Sequence, residues 1–177
     1  MSERKSIAIR ATYRESSAAD LAAIQALETS VYVNAAAGLS HALISGPDDT
    51  LSCVAELDGQ ILGHILLAPV AGPERALALA PHAILPEWRD MQIGTELVRF
   101  ALELARQRDW RSVFVFGQPD YFCRFGFKSR TADGAEIACQ GPRFLALELY
   151  RGALAGWTGP LQYPQAFVEL STMLKPR

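Results

Sequence analysis

Residues 79–94 read LAPHAILPEWRDMQIG and concentrate the chemistry of the chain. An apolar run ends at Pro86, a short polar loop follows, and a helical pattern begins near Gly94. A strand–loop–helix junction aims several backbone N–H groups at one point, and the helix dipole adds partial positive charge there. Phosphate or pyrophosphate is the ligand such a junction suits, although an ordinary strand-to-helix turn has the same outline. His82 lies in the strand and shares a face with Ala80 and Ile84 by alternation. On a cleft-lining face it would accept the proton of an amine, directly or through water; a lone strand histidine is also commonly structural. His64 is the weaker rival. Glu56 and Glu148 fall in strands and could bind an amine, although strand acids more commonly face solvent.

The elements around this stretch set its surroundings. Residues 7–13 alternate as a strand. Ser17 followed by Asp20 reads as a helix start, with Leu21, Ile24, Leu27 and Val31 at helical spacing behind it. An Ala-rich segment, 34–44, is a second helix closed by Gly46-Pro47. Residues 51–57 and 60–70 form a hairpin about Asp58-Gly59, and 75–85 extends the meander. An amphipathic helix covers 95–108. Residues 112–116 are short, apolar and β-branched, as in a buried central strand. A brief helix at 119–125 and a late strand at 144–150 complete the order. The pattern is α+β: a mixed, mostly antiparallel central sheet flanked by helices, with one strand–helix–strand crossover. The aromatic tail, 156–164, packs across the domain or onto a second subunit.

Composition narrows the function classes. The chain has 177 residues, half of them apolar and a fifth charged, with net charge −2. Length predicts a single domain over residues 1–177, and the charge excludes a broad nucleic-acid surface. Three cysteines, Cys53, Cys123 and Cys139, show no CxxC spacing and no metal-ligand cluster with the histidines. No metal is expected, and reduced thiols fit a cytoplasmic location. Residues 1–14 lack the apolar core of a signal peptide. The longest apolar run, 61–71, is interrupted by Gly63, His64 and Pro69, so no membrane partner is expected.

The motifs resemble a known family. Pro86-Glu87-Trp88-Arg89-Asp90-Met91-Gln92-Ile93-Gly94 resembles motif A of the GCN5-related N-acetyltransferase (GNAT) superfamily. Residues 120–127, DYFCRFGF, resemble the motif B ending, and the combination is most similar to the YhbS-like branch of predicted acetyltransferases. The resemblance implies a GNAT acyl-CoA N-acyltransferase fold that transfers an acetyl group from acetyl-CoA to a primary amine on a small molecule or peptide. It implies that His82, Ala83 and Ile84 offer backbone groups to the pantetheine arm and thioester. The pyrophosphate then rests on the loop amides of Asp90, Met91, Gln92, Ile93, Gly94 and Thr95, with Arg89 beside them. His82 and Tyr121 are the catalytic candidates, as base and as acid. A homodimer is compatible with the pattern.

Two departures from the family pattern bear on activity. Asp90 and Gln92 replace common glycines. Outward-facing side chains there would leave binding intact, whereas inward-facing ones would weaken it. At the position where the family carries a proton-donating tyrosine the count falls on Phe122, with Tyr121 adjacent but turned elsewhere on the helix and Cys123 read as a small buried hydrophobe. These departures sustain an alternative, a degenerate GNAT domain that binds CoA or a partner without efficient catalysis.

Overall fold

The computed structural model describes residues 7–32, 39–45 and 49–166. Its strands are β1 (Thr12–Glu15), β2 (Leu51–Leu57), β3 (Gln60–Val70), β4 (Ala76–Ile84), β5 (Ser112–Phe116), β6 (Ala135–Glu136), β7 (Phe144–Glu148) and β8 (Gly159–Pro160). The helices are α1 (Leu21–Val31), α2 (Leu39–Ser45), α3 (Ile93–Gln107) and α4 (Pro119–Phe122). Six strands form one sheet in the order β1-β2-β3-β4-β5-β7, and β6 pairs with β8. Every pair in the large sheet is antiparallel except β4–β5. The fold is the mixed, mostly antiparallel α+β architecture that the element order predicts.

Local chemistry explains the main boundaries. Asp58 and Gly59 both take positive φ, 50° and 81°, as a two-residue turn matching the strand twist requires. Ser17 donates its N–H and its hydroxyl to the Asp20 carboxylate, 2.6 and 3.0 Å, which caps the entry to α1. Arg14 then joins that cap to the sheet, pairing with Asp20 at 2.8 Å and Glu56 at 2.7 Å. Arg14 is therefore a clamp between the helix cap and the sheet.

Several boundaries differ from the sequence reading. Residues 7–10 are helical, and the first strand begins only at Thr12. Alternation over so few residues does not distinguish a strand from one helical turn. The second helix begins, within the described residues, at Leu39; residues 33–38 of that segment lie outside them. Helix α3 starts at Ile93, ahead of Thr95, because Gln92 adopts a left-handed conformation that terminates the loop.

The sheet separates two apolar layers. On one side α3 buries Ile93, Leu97, Val98, Ala101 and Ala105 against Leu51, Ile65 and Leu67 of the meander and Val113 and Val115 of β5. On the other, Leu66, Ala68, Phe114 and Phe144 pack with Leu43 of α2 and with Trp157 and Leu161 of the tail. Trp157 meets Phe114 edge-on at 6.3 Å, so the tail packs across its own sheet.

The feature that matters most for function is a parting of strands. Parallel pairing of β4 with β5 comprises Ala76–Ser112, Leu77–Val113 and Ala78–Phe114, and then stops. β5 stays with β7 as far as the Phe116–Phe144 pair, and β4 stays with β3 as far as the Ile84–Gly63 pair. The two central strands therefore diverge from Ala78 onward.

Candidate active site at the splayed strands

The gap between β4 and β5 exposes backbone groups that a continuous sheet would consume. Antiparallel strands bond through alternate residues. Ala83 lies opposite His64, and the Leu85 N–H bonds to the Leu62 carbonyl at 2.9 Å. The ladder thus runs through Ala83 and Leu85, and the peptide groups of His82 and Ile84 face the gap. Of the three strand positions expected to offer backbone groups to a ligand, His82 and Ile84 turn theirs to the gap. Ala83 is turned to β3, and its methyl packs with Leu27 and Val31 under α1.

At the mouth of the gap stands the start of α3. The Glu96 N–H makes the first helical bond, to the Gln92 carbonyl at 3.1 Å. The amides of Ile93, Gly94 and Thr95 ahead of it have no helical partner. Unpartnered amides at a positive helix end suit an anion. A Cβ on Gly94 would lie 3.2 Å from the His82 ring and 3.3 Å from Ile84, so a larger residue would press on both side chains at the point where the helix start meets β4. Asp90 and Gln92 hold φ of 62° and 68°, the left-handed region that glycine would favour. Their side chains, like that of Arg89, are exposed.

His82 lies under this junction. Its Nε2 is buried without a hydrogen-bond partner. Burial pushes the imidazole down to about 4, opposed in part by the Gly94 backbone, and the ring is neutral at neutral pH. The Tyr121 ring stacks on it at 5.8 Å. Burial raises the Tyr121 phenol above its ordinary value, while the Thr95 hydroxyl and the charges of Arg124 and Arg99 pull the other way. The phenol keeps its proton at neutral pH.

Phe122, at the position counted for the family's acid, is elsewhere. It is buried among Phe125 and Phe127, and its ring fills the space over Gly117, where a Cβ would lie 2.5 Å from a ring carbon. Residues adjacent on a helix diverge by about 100°, and the bulk of the Phe122 ring fixes which one enters the core. That rotation turns Tyr121 toward β4. Cys123 is exposed, not buried.

The other candidates are occupied. Glu56 pairs with Arg14, and Glu148 accepts the N–H groups of Gly152 and Leu154 at 3.2 and 2.8 Å. His64 lies 0% exposed, bonded through Nδ1 to Glu28 at 2.8 Å and through Nε2 to Ser52 at 2.9 Å. Serine, histidine and carboxylate in series is the order of nucleophilic hydrolases. Here no substrate could reach the set, and Ser52 and Glu28 are further tied to Ser16 and Ser40 at 2.7 Å each. Tyr32, which nothing in the sequence singles out, donates its hydroxyl to the His82 carbonyl at 2.9 Å. Its only sequence signal is its place one turn beyond Glu28 at the end of α1.

Among the described residues no group of three or more His, Cys, Asp or Glu could hold a metal ion, and no helix is long and apolar enough to cross a membrane.

The profile of the acetyltransferase (GNAT) family matches residues 18–127, more than half of the chain. The chain belongs to that family. It resembles the crystal structure of the GNAT N-acetyltransferase YhbS of Escherichia coli in complex with CoA, with a TM-score of 0.82 and 27% identity over 90% of this chain and 92% of that one. A GNAT acetyltransferase of Brucella melitensis in complex with acetyl-CoA follows, at 0.72 and 28% over 89% and 97%. An E. coli protein, the uncharacterised N-acetyltransferase YjhQ, is 34% identical over 89 residues, 47% of this chain. The match spans about half the length of that relative, 49%. The two solved relatives hold CoA and acetyl-CoA on this same fold.

Proposed function

We propose that this acetyltransferase moves an acetyl group from acetyl-CoA to the primary amine of a small molecule or peptide. The observation that carries the reading is the convergence of three groups at the β4–β5 gap: the outward peptide of His82, the free amides opening α3, and the Tyr121 phenol. In this reading the amides of Asp90 through Thr95 hold the pyrophosphate, with Arg89 beside them. When bound, acetyl-CoA supplies the activated acyl group. The His82 N–H, facing the gap, donates to the thioester oxygen and steadies the negative charge that grows there during attack. The strands hold acyl carbon and amine in register, which supplies most of the acceleration in such transfers. The neutral His82 imidazole takes the amine's proton through water. Tyr121, still protonated, donates to the departing sulfur.

The relatives that hold CoA and acetyl-CoA support the cofactor assignment; the acceptor rests on the chemistry of the gap alone. The test is calorimetry with acetyl-CoA, followed by thiol release with n-butylamine, benzylamine and lysine. Binding with amine-dependent release supports acetyl transfer. Binding without release would make the chain a CoA-binding module, and absence of binding would remove the cofactor assignment.

A further inference from the structure

Tyr32 approaches the reaction gap from the face opposite α3. It packs against the cluster of Leu27, Val31 and Ala83, and its hydroxyl reaches the His82 carbonyl at 2.9 Å. The His82 imidazole lies on the other face, against Gly94 and Tyr121. An acyl group held in the gap would therefore have the catalytic ring pair on one side and the Tyr32 hydroxyl on the other.

A phenol carries one hydrogen and two lone-pair positions. The hydrogen of Tyr32 is committed to the His82 carbonyl, so toward the gap the oxygen can only accept. Burial, and after it the charge of Glu28, pushes the phenol up to about 12, so the commitment holds across the working pH range. An amine attacking a thioester uses its nitrogen lone pair on carbon. Its N–H bonds must then point at acceptors, and an oxygen that can only accept is the partner they need. The hydroxyl is also held in place. Tyr32 closes α1 through its N–H to the Glu28 carbonyl at 2.8 Å, and the Glu28 carboxylate is locked by His64 and Ser40.

We propose that Tyr32 receives the acceptor: its oxygen accepts an N–H of the attacking amine and sets the nitrogen beside the acyl carbon. Tyr32 is on this account a specificity-determining residue that favours N–H nucleophiles. The inference rests on the acetyl-transfer reading above.

The experiment compares Tyr32→Phe with the unaltered chain, using n-butylamine, benzylamine and lysine as acceptors. Loss of one hydrogen bond predicts an acceptor KM raised roughly three- to tenfold, with the acetyl-CoA dissociation constant unchanged. Ser40→Ala separates binding from scaffolding. It removes one bond to the Glu28 carboxylate and leaves both the Tyr32 hydroxyl and its N–H bond in place, so it lowers Tm while leaving the acceptor KM as it was. An acceptor KM unmoved by Tyr32→Phe overturns the inference, as does an equal rise in Ser40→Ala. A matching loss of acetyl-CoA affinity in Tyr32→Phe would assign the oxygen to the pantetheine arm and overturn it too. Thiol release with no amine, despite acetyl-CoA binding, fails the acetyl-transfer reading itself and takes this inference with it.

Discussion

Two histidines on neighbouring strands have opposite surroundings. His64 on β3 has a partner on each ring nitrogen, and each partner is itself bonded, so the chain of polar groups from Ser16 to Ser40 is closed. His82 on β4 has a buried Nε2 with no partner and sits where the sheet has opened. Polar groups removed from water cost free energy unless they are paired. The closed network meets that cost and becomes scaffold, whatever its likeness to a catalytic triad. The open histidine leaves hydrogen-bonding capacity unused beside unused backbone groups, which is the condition for binding and proton transfer. Completeness of hydrogen bonding distinguishes the two sites better than residue type does.

The comparison predicts its largest stability effect in the closed network. Glu28→Ala strips His64 and Ser40 of their shared partner inside the core. Leaving a buried polar group without its partner costs about 1–3 kcal/mol for each of the two, read as a lowered midpoint in urea. A cost under about 1 kcal/mol would show that water enters to replace the carboxylate, and the contrast with His82 would weaken. Acetyl-CoA affinity of the folded fraction stays unchanged, because the network does not touch the α3 junction.

The open site is expected to reveal itself through acid. The His82 imidazole titrates near 4 in the folded chain and near 6.5 in an unfolded one. Between those values the unfolded state binds the extra proton. Stability is therefore full above about pH 6.5 and falls as pH drops toward 4, by at most ~3 kcal/mol from this group. His82→Gln removes that dependence, so its Tm falls less between pH 7 and 4.5. Asp20, held low by Arg14, contributes its own acid loss equally to both proteins. Identical profiles for the two proteins would mean that the imidazole titrates in the fold as it does in the unfolded chain.

A third test addresses the pair of adjacent aromatics. Tyr121→Phe keeps the ring on His82 and deletes the proton, and turnover with the best amine is expected to fall by about 10²-fold, the lower range for general acids. Phe122→Tyr places a hydroxyl among Phe125, Phe127 and Gly117, where it lowers stability without replacing the lost acid in the double variant. Full turnover in Tyr121→Phe would leave water or the thiolate's own stability to finish the reaction.

Element order, the hairpin at Asp58-Gly59 and the family motifs were legible because each depends on local chemistry: alternation, turn dihedrals, helix capping. The strand-to-helix junction was legible, since a proline-ended strand running into a helix leaves the first helical amides without partners by geometry alone. The side chains of the site were less so. Whether Tyr121 or Phe122 meets β4 depends on which ring fills the space over Gly117, a packing outcome that counting from a motif does not contain. Tyr32 reaches His82 only because α1 crosses β3 and β4, so no short-range pattern marks it. The closed state of His64 needs partners from α1, α2 and β2 at once, and spacing along one strand could not show it.

The smallest effect concerns the loop that replaces glycine by bulkier residues. Gln92 bears the steric cost of a left-handed conformation, ~1 kcal/mol for an L-residue, whereas an aspartate such as Asp90 tolerates that region better. Gln92→Gly removes the cost but adds freedom to the unfolded chain. The net gain should be below about 1 kcal/mol, or a Tm rise of up to ~4 °C for a chain of this size. Gln92→Ala keeps the steric penalty while deleting the amide, so it should give no such rise; equal gains in both would trace the effect to the side chain and not to the backbone. Because the Gln92 side chain is exposed, CoA affinity by calorimetry should stay within about twofold in either variant. Weaker binding in both would make the Gln92 amide a phosphate ligand in its own right, and the open site would then depend on a side chain where the backbone geometry alone appoints amides.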